Sequence, residues 1–311
     1  MQKYAVFTGS CQSLTAIQYL HQSGQLACVV LVDAQPTPDL MQLQHWLQQS
    51  GIKTLAYNLS DDKDLLSQLD SLAVNRGLIY LFRHKVRPAL IQYFSGHLVN
   101  IHPSPLPDYR GPFPLYWQLR NGEDKTKLTL HQVTELLDCG DIATDLEIEI
   151  HPFDTISCVQ YKVAQALPEL VAKYCQLDEK QGITWHKQGE TSDKTAPQVA
   201  QQQLIVNWHK QTSKQVVNMA RAGNADAGCA LFQFRQEMFQ LLQASVVESP
   251  LIGVQAGTVI EVDRHTGLVI KTINGALRLD VIGTQQGIFD GYRFAVLFGL
   301  EAGFTLMPEN N

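Results

Sequence analysis

Short apolar runs alternate with amphipathic stretches along the first part of the chain. Tyr4–Phe7 is apolar and runs into Thr8-Gly9-Ser10, which predicts a strand and then a turn. Residues 14–20 have helical spacing. Leu26–Val32 is continuously apolar and rich in valine up to Asp33, the signature of a strand buried on both faces. Helices over 39–49 and 62–72 then alternate with strands over 53–57 and 77–82. Strand–helix alternation of this kind predicts a doubly wound, mainly parallel sheet with right-handed crossovers, a Rossmann-like α/β fold. Ligands of such sheets bind outside the carboxyl ends of the strands.

The pattern changes after Ile150. A long amphipathic helix is expected over 155–177. The polar, turn-rich stretch from Gln188 to Pro197 reads as a linker. A helix over 212–222 precedes five β-like runs at 230–234, 238–244, 258–263, 268–272 and 277–282. His265-Thr266-Gly267 and Asn274-Gly275 separate the last three, and the second suits a type I′ hairpin. The expectation is two domains, 1–190 and 204–311, the second a small barrel. Phe294 to Phe298 is apolar and is assigned to the core by default.

The chemistry concentrates in Asn100-Ile-His102-Pro-Ser104-Pro-Leu106-Pro107-Asp-Tyr109-Arg110-Gly111 and, further on, Leu137-Asp138-Cys-Gly140-Asp141. Asn100 and His102 are two apart on extended chain, so their side chains share one face. Prolines at 103, 105 and 107 stop ladder and helix and stiffen the loop. An amide, an imidazole and a carboxylate can together stabilise an oxyanion and move a proton. Taken singly, each has a plainer reading: Asn100 as a turn cap, His102 as a loop histidine, Asp138 as a turn residue.

At their spacing these two motifs resemble those of the 10-formyltetrahydrofolate-dependent formyltransferases. The resemblance is strongest from Leu78 to Ile150. It extends through Gly122-Glu123 and Leu128-Thr129-Leu130-His131 to Trp208, Arg221-Ala222 and Gly228, which are similar to the C-terminal domain of methionyl-tRNA formyltransferase. It implies Asn100, His102 and Asp138 as the catalytic set. It also implies 10-formyltetrahydrofolate as formyl donor and an OB-like form for the C-terminal barrel. The folate would lie against backbone at Arg83, His84, Lys85 and Val86, and at Thr134, Leu136 and Asp138. Arg83 and Lys85 either meet the folate glutamate tail or are solvated surface charges. Tyr116 and Trp117 are core or a wall of the acceptor site.

Composition narrows the acceptor. The 311 residues are 45% apolar and 17% charged, with a formal net charge of −6. That balance gives no general attraction for nucleic acid. Residues 31–52 hold no lysine or arginine where the tRNA enzyme carries a basic insertion, and 204–311 hold eight cations against nine carboxylates. A small-molecule or carrier-bound amine, such as an amino sugar on a nucleotide or a biosynthetic intermediate, is therefore the expected acceptor. Methionyl-tRNA and water (a 10-formyltetrahydrofolate hydrolase) are the alternatives; the known hydrolases would call for a further N-terminal domain. The six cysteines and ten histidines are scattered without metal-ligand spacing, so no metal and no disulfide framework is expected. The first residues lack the apolar core of a signal peptide, and no apolar run approaches the eighteen or so residues that span a bilayer. A cytoplasmic enzyme with no membrane partner is expected.

Overall fold

The computed structural model describes residues 2–32, 37–58, 60–190, 193–224, 226–248 and 252–306. The chain forms two compact units. Met1–Pro114, Lys125–Glu149 and Val159–Thr195 make the first; Leu115–Asp124, Ile150–Cys158 and Ala196–Asn311 make the second. The described helices include none long and apolar enough to cross a membrane.

The first unit is built on a seven-stranded sheet: β1 (Tyr4–Phe7), β2 (Leu26–Val32), β3 (Thr54–Tyr57), β4 (Arg76–Ile79), β5 (Leu98–His102), β6 (Lys125–Gln132) and β7 (Ile142–Glu149). Their spatial order is β3-β2-β1-β4-β5-β6-β7. The first five are parallel, and β6 and β7 add antiparallel to β5. The expected Rossmann-like sheet is thus present, with an antiparallel extension on one side. Helices α1 (Leu14–Gln22), α2 (Pro38–Gln49), α3 (Lys63–Ser71) and α4 (Pro88–Tyr93) connect the parallel strands. Thr37 caps α2, its hydroxyl accepting from Leu40 N at 3.2 Å just ahead of Pro38 in the first helical turn. Asp33, expected at the tip of the second strand, lies outside the described residues.

The strand expected over 77–82 ends at Ile79. Leu81 has φ 53°, which takes the backbone out of extended conformation, and its carbonyl accepts from Gly9 N instead. Phe82 then packs edge-on against Phe7 and Tyr57, at 5.9 and 5.2 Å between ring centres. An apolar side chain at the end of a strand-like run here serves a loop that must be pinned.

Helix α5 (Pro114–Asn121) and the long α6 (Ile156–Glu179) follow, the latter carrying Pro168 inside it. In the second unit, α7 (Ser213–Ala222) begins with a reciprocal cap between Thr212 and Gln215. Strands β8 (Ala230–Phe234), β9 (Glu237–Val247), β10 (Val259–Asp263), β11 (Gly267–Thr272), β12 (Gly275–Thr284) and β13 (Gly287–Phe289) form an antiparallel sheet. Its order is β10-β11-β12-β9-β8, with β13 on β12. The β11–β12 loop is Ile273-Asn274, and only Gly275 has positive φ, at 136°. A type I′ turn needs positive φ at both loop residues, so the expected hairpin type is corrected.

Helix α8 (Gly291–Phe298) closes the described elements. Phe232, Phe239 and Phe294 pack with ring centres 4.9–5.7 Å apart at the centre of this unit's core. Each such pair adds about 1 kcal/mol beyond its buried area. The core assignment of 294–298 holds for Phe294 and Ala295 but not for Val296 and Leu297, which are exposed. One helical face cannot bury every residue of a continuous apolar run.

Candidate active site

The two motifs meet at the carboxyl end of β5. Asn100 and His102 are on β5, which pairs with β4 on one side (Ile79 opposite Asn100) and β6 on the other. Across the β5–β6 ladder Asn100 faces His131, and His102 faces Thr129. Facing residues of an antiparallel pair bring their side chains together on one face. Asn100 Nδ2 lies 3.1 Å from His131 Nε2. His131 Nδ1 lies 2.8 Å from the carbonyl of Gln132, so that nitrogen carries the proton. Nε2 is then an acceptor and takes one Asn100 amide hydrogen. Burial pushes the His131 imidazole down to about 4, and the neighbouring His102 adds to the effect, so His131 is neutral.

The proline loop turns back to orient His102. Its Nε2 lies 2.9 Å from the carbonyl of Tyr109, which makes Nε2 the protonated nitrogen and leaves Nδ1 free to accept. Tyr109 is buried with φ 60°, Leu106-Pro107 is cis, and Ser104 donates to the carbonyl of Asp108 at 2.8 Å. Thr129 Oγ1 donates to the carbonyl of Ser104 at 2.6 Å, tying the loop to β6.

Asp138 enters from the loop after β6 with φ 54° and is almost fully buried. Gly111 N donates to its Oδ2 at 3.1 Å, so the first motif holds the second. Oδ1 lies 3.7 Å from His102 Nδ1 and 3.8 Å from His131 Nε2. Both separations exceed a direct hydrogen bond. Oδ1 therefore keeps its capacity to accept from a reacting group. Gly140 is required by space: a Cβ there would stand 1.9 Å from the carbonyl oxygen of Gln132. Asn100, His102 and Asp138 thus converge as an amide with one hydrogen to spare, an imidazole held through Nε2 and a carboxylate with one backbone donor among the described residues.

The residues expected to meet the folate stand in loops, Arg83 to Val86 after β4 and Thr134 and Leu136 on the loop that carries Asp138. Thr134 Oγ1 donates to the carbonyl of Leu136 at 2.8 Å, and the side chain of Leu136 is 72% exposed on the same loop as Asp138. Arg83 and Lys85 are exposed, His84 is half-buried beside Phe82, and Val86 is buried among core residues. The carbonyl of Lys85 accepts from Tyr57 Oη at 3.3 Å. Tyr116 is core, and Trp117 Nε1 donates to the carbonyl of Pro197.

Two residues of the cluster escaped the sequence reading. His131 had a signal in the alternation of Leu128-Thr129-Leu130-His131, which puts Thr129 and His131 on one face of a strand. Gln188 had none, because it sits in the stretch assigned to a linker. Gln188, Lys194 and Thr195 instead belong to the first unit and bond to the motif loops.

The formyl transferase family model matches residues 2–175, and the model for the formyl transferase C-terminal domain matches 198–288. Methionyl-tRNA formyltransferase of Thermotoga neapolitana is 32% identical over 221 residues, covering 67% of this chain and 69% of its own. That of Pseudothermotoga lettingae is 27% identical over 213 residues, covering 68% of each chain. Among solved structures, the sugar 3N-formyl transferase WlaRD is similar over 89% of this chain and 96% of its own, at TM-score 0.63 and 18% identity. HypX from Aquifex aeolicus is similar over 97% of this chain at TM-score 0.62 and 17% identity, and this chain spans about half of HypX (48%). With one family model covering more than half of its residues and a second covering the region after them, the chain belongs to the formyltransferase family.

Proposed function

We propose that this N-formyltransferase takes the formyl group of 10-formyltetrahydrofolate and passes it to the amine of a small or carrier-linked acceptor. Asn100, His102 and Asp138 would be its catalytic residues. The convergence of these three side chains carries the reading. The folate donor is supported by neighbours solved with related molecules: HypX with tetrahydrofolic acid, and WlaRD with dTDP and 5-N-formyl-THF.

In the proposed reaction the neutral amine attacks the formyl carbon. A bond forms from the acceptor nitrogen to carbon, and the carbonyl becomes an oxyanion. The spare amide hydrogen of Asn100 stabilises that oxyanion. One donor of this kind lowers an acyl-transfer barrier by about 3 kcal/mol. The amine loses its proton to the His102–Asp138 pair, where Nδ1 is the open acceptor and the carboxylate offsets the imidazolium charge. The carbon–N10 bond then breaks, and the proton goes to N10. The products are a formamide and tetrahydrofolate.

Charge supports a small or carrier-linked acceptor. Of the eight cations in 204–311, Lys271 is buried against the carbonyls of Thr272 and Gly275. Arg278 pairs with Asp280, Arg293 with Asp290, and Arg221 donates to the carbonyl of His151. Cations already engaged within the chain are less available to neutralise phosphates, which tRNA binding requires. Methionyl-tRNA is the second reading, favoured by the names and coverage of the curated relatives.

The test follows tetrahydrofolate formation by absorbance, first with donor alone and then with aminated nucleotide sugars, hydroxyornithine-like amines and methionyl-tRNA. Turnover with one small amine is the expected result. Turnover only with methionyl-tRNA, falling steeply with salt, overturns the acceptor assignment. Equal turnover without any amine makes the protein a hydrolase.

A further inference from the structure

Gln188 makes four hydrogen bonds with one carboxamide. Its Nε2 donates to the carbonyl of Asp138 at 2.9 Å and to the carbonyl of Gly140 at 2.8 Å. Its Oε1 accepts from Arg110 Nε at 3.0 Å and from Arg110 Nη2 at 2.5 Å. Both of its N–H groups are thus spent on the backbone of the second motif, and its oxygen on a side chain of the first. Six residues further on, the carbonyl of Lys194 accepts from Tyr109 N at 2.7 Å, and Thr195 bridges Arg110. Tyr109 is the residue whose carbonyl orients His102. The returning segment therefore touches the support of both groups, His102 through Tyr109 and Asp138 through Gln188.

The local backbone needs that support. Asp138 has φ 54° and Tyr109 φ 60°, a region unfavourable for a non-glycine residue that persists only where the surroundings impose it. Gly111 N holds Asp138 Oδ2, but among the described residues Oδ1 has no donor at bonding distance, so the aim of that oxygen also depends on the backbone of its loop. From these contacts we infer that Gln188 is a positioning residue for formyl transfer: its amide holds the Asp138 loop in register with the Asn100–Gly111 motif. This rests on the proposed roles of Asn100, His102 and Asp138.

The discriminating substitution is Gln188→Glu. It keeps the shape and the acceptor for Arg110 but cannot donate to the two carbonyls while ionised. Displacing a reacting group by about 1 Å costs on the order of a hundredfold in rate. The expected result is a kcat lower by about that factor, with the KM for the folate donor nearly unchanged. The deficit relative to wild type should narrow as pH falls into the carboxyl range, because the protonated carboxyl regains one donor. A merely structural loss would leave the deficit constant with pH. If Gln188→Glu does not fold, Gln188→Asn, which keeps the amide and shortens its reach, should show the same loss of kcat at unchanged KM.

Asp138→Asn is run alongside. Inactive Asp138→Asn with Gln188→Glu within twofold of wild type overturns the role of Gln188 and leaves the catalytic reading standing. A Gln188→Glu kcat deficit that does not vary with pH also overturns it. Full activity in Asp138→Asn overturns the catalytic reading itself, and this inference with it.

Discussion

Asp138 and Asp178, two of the buried aspartates of the first unit, each have a histidine nearby and lie at opposite ends of its sheet. Asp178, near the end of α6, meets the amino ends of the strands: its Oδ2 accepts from Tyr4 Oη at 2.9 Å and from Arg76 Nε at 2.6 Å, with His97 Nδ1 3.9 Å from Oδ1. Asp138, past the carboxyl ends, has one backbone N–H at 3.1 Å and two imidazoles beyond bonding distance. Both side chains are about equally buried, 3% and 6% exposed. Burial and a nearby histidine therefore do not mark an active site. The difference lies in countercharge. Asp178 Oδ2 takes a guanidinium and a phenol, whereas Asp138 has, among the described residues, one backbone N–H and no cation at bonding distance, and it lies beside two imidazoles. A buried charge short of partners is destabilising; under the proposed mechanism the carboxylate offsets the charge that His102 gains from the amine.

This contrast is sharpest in the response to one substitution made at both places. Asp138→Asn should reduce kcat by about a thousandfold, within the range for disabling the proposed His102–Asp138 acid–base pair, and should move the melting temperature little. Asp178→Asn should do the reverse. Removing one member of a buried pair leaves Arg76 uncompensated and costs about 3 kcal/mol of stability, while kcat per folded molecule stays near wild type. Steady-state kinetics and urea unfolding of both variants decide the matter. Equal effects on kcat would erase the distinction between the two carboxylates.

The sequence made Asn100, His102 and Asp138 legible because each sits in a local pattern, a two-residue spacing on a strand or a carboxylate before glycine. The strands and helices of the first unit were legible for the same reason: periodicity is a local property. What was not legible depends on pairing across distance. His131 becomes a neighbour of Asn100 only through the antiparallel register of β5 and β6. Gln188 reads as part of a polar linker, since glutamine between polar residues looks the same whether it is solvated or clamps two carbonyls. Asp178 appears in the sequence as an ordinary residue near the end of an amphipathic helix, and its burial against Tyr4 and Arg76 is purely tertiary. The Asn274-Gly275 pair failed in the opposite sense. Its dipeptide carries a strong local preference, but the β11–β12 register places the loop one residue earlier.

A smaller effect separates the two sites by pH, through His131. Its folded-state value is depressed to about 4 from 6.5, with burial as the main cause and His102 next. Above pH 6.5 the ring is neutral in folded and unfolded chains alike and contributes nothing to the pH dependence. Between 6.5 and about 4 the unfolded chain holds a proton that the folded one refuses, so stability falls as pH falls; below about 4 both are protonated and the loss levels off. Integrated over that window the loss is about 3 kcal/mol. His97, also pushed down by burial and by the Arg76 cation, adds in the same direction at the other end of the sheet. Comparing wild type with His131→Gln cancels that shared contribution, since His97 is present in both. Glutamine can still accept from Asn100 without titrating. Urea unfolding at pH 7 and pH 5 should therefore show a smaller loss of stability in the variant than in wild type. Equal losses would mean that the folded protein protonates His131 as readily as the unfolded chain does. Nε2 would then carry a hydrogen and could not accept from Asn100, and the spare amide hydrogen assigned to the oxyanion would have to be found elsewhere.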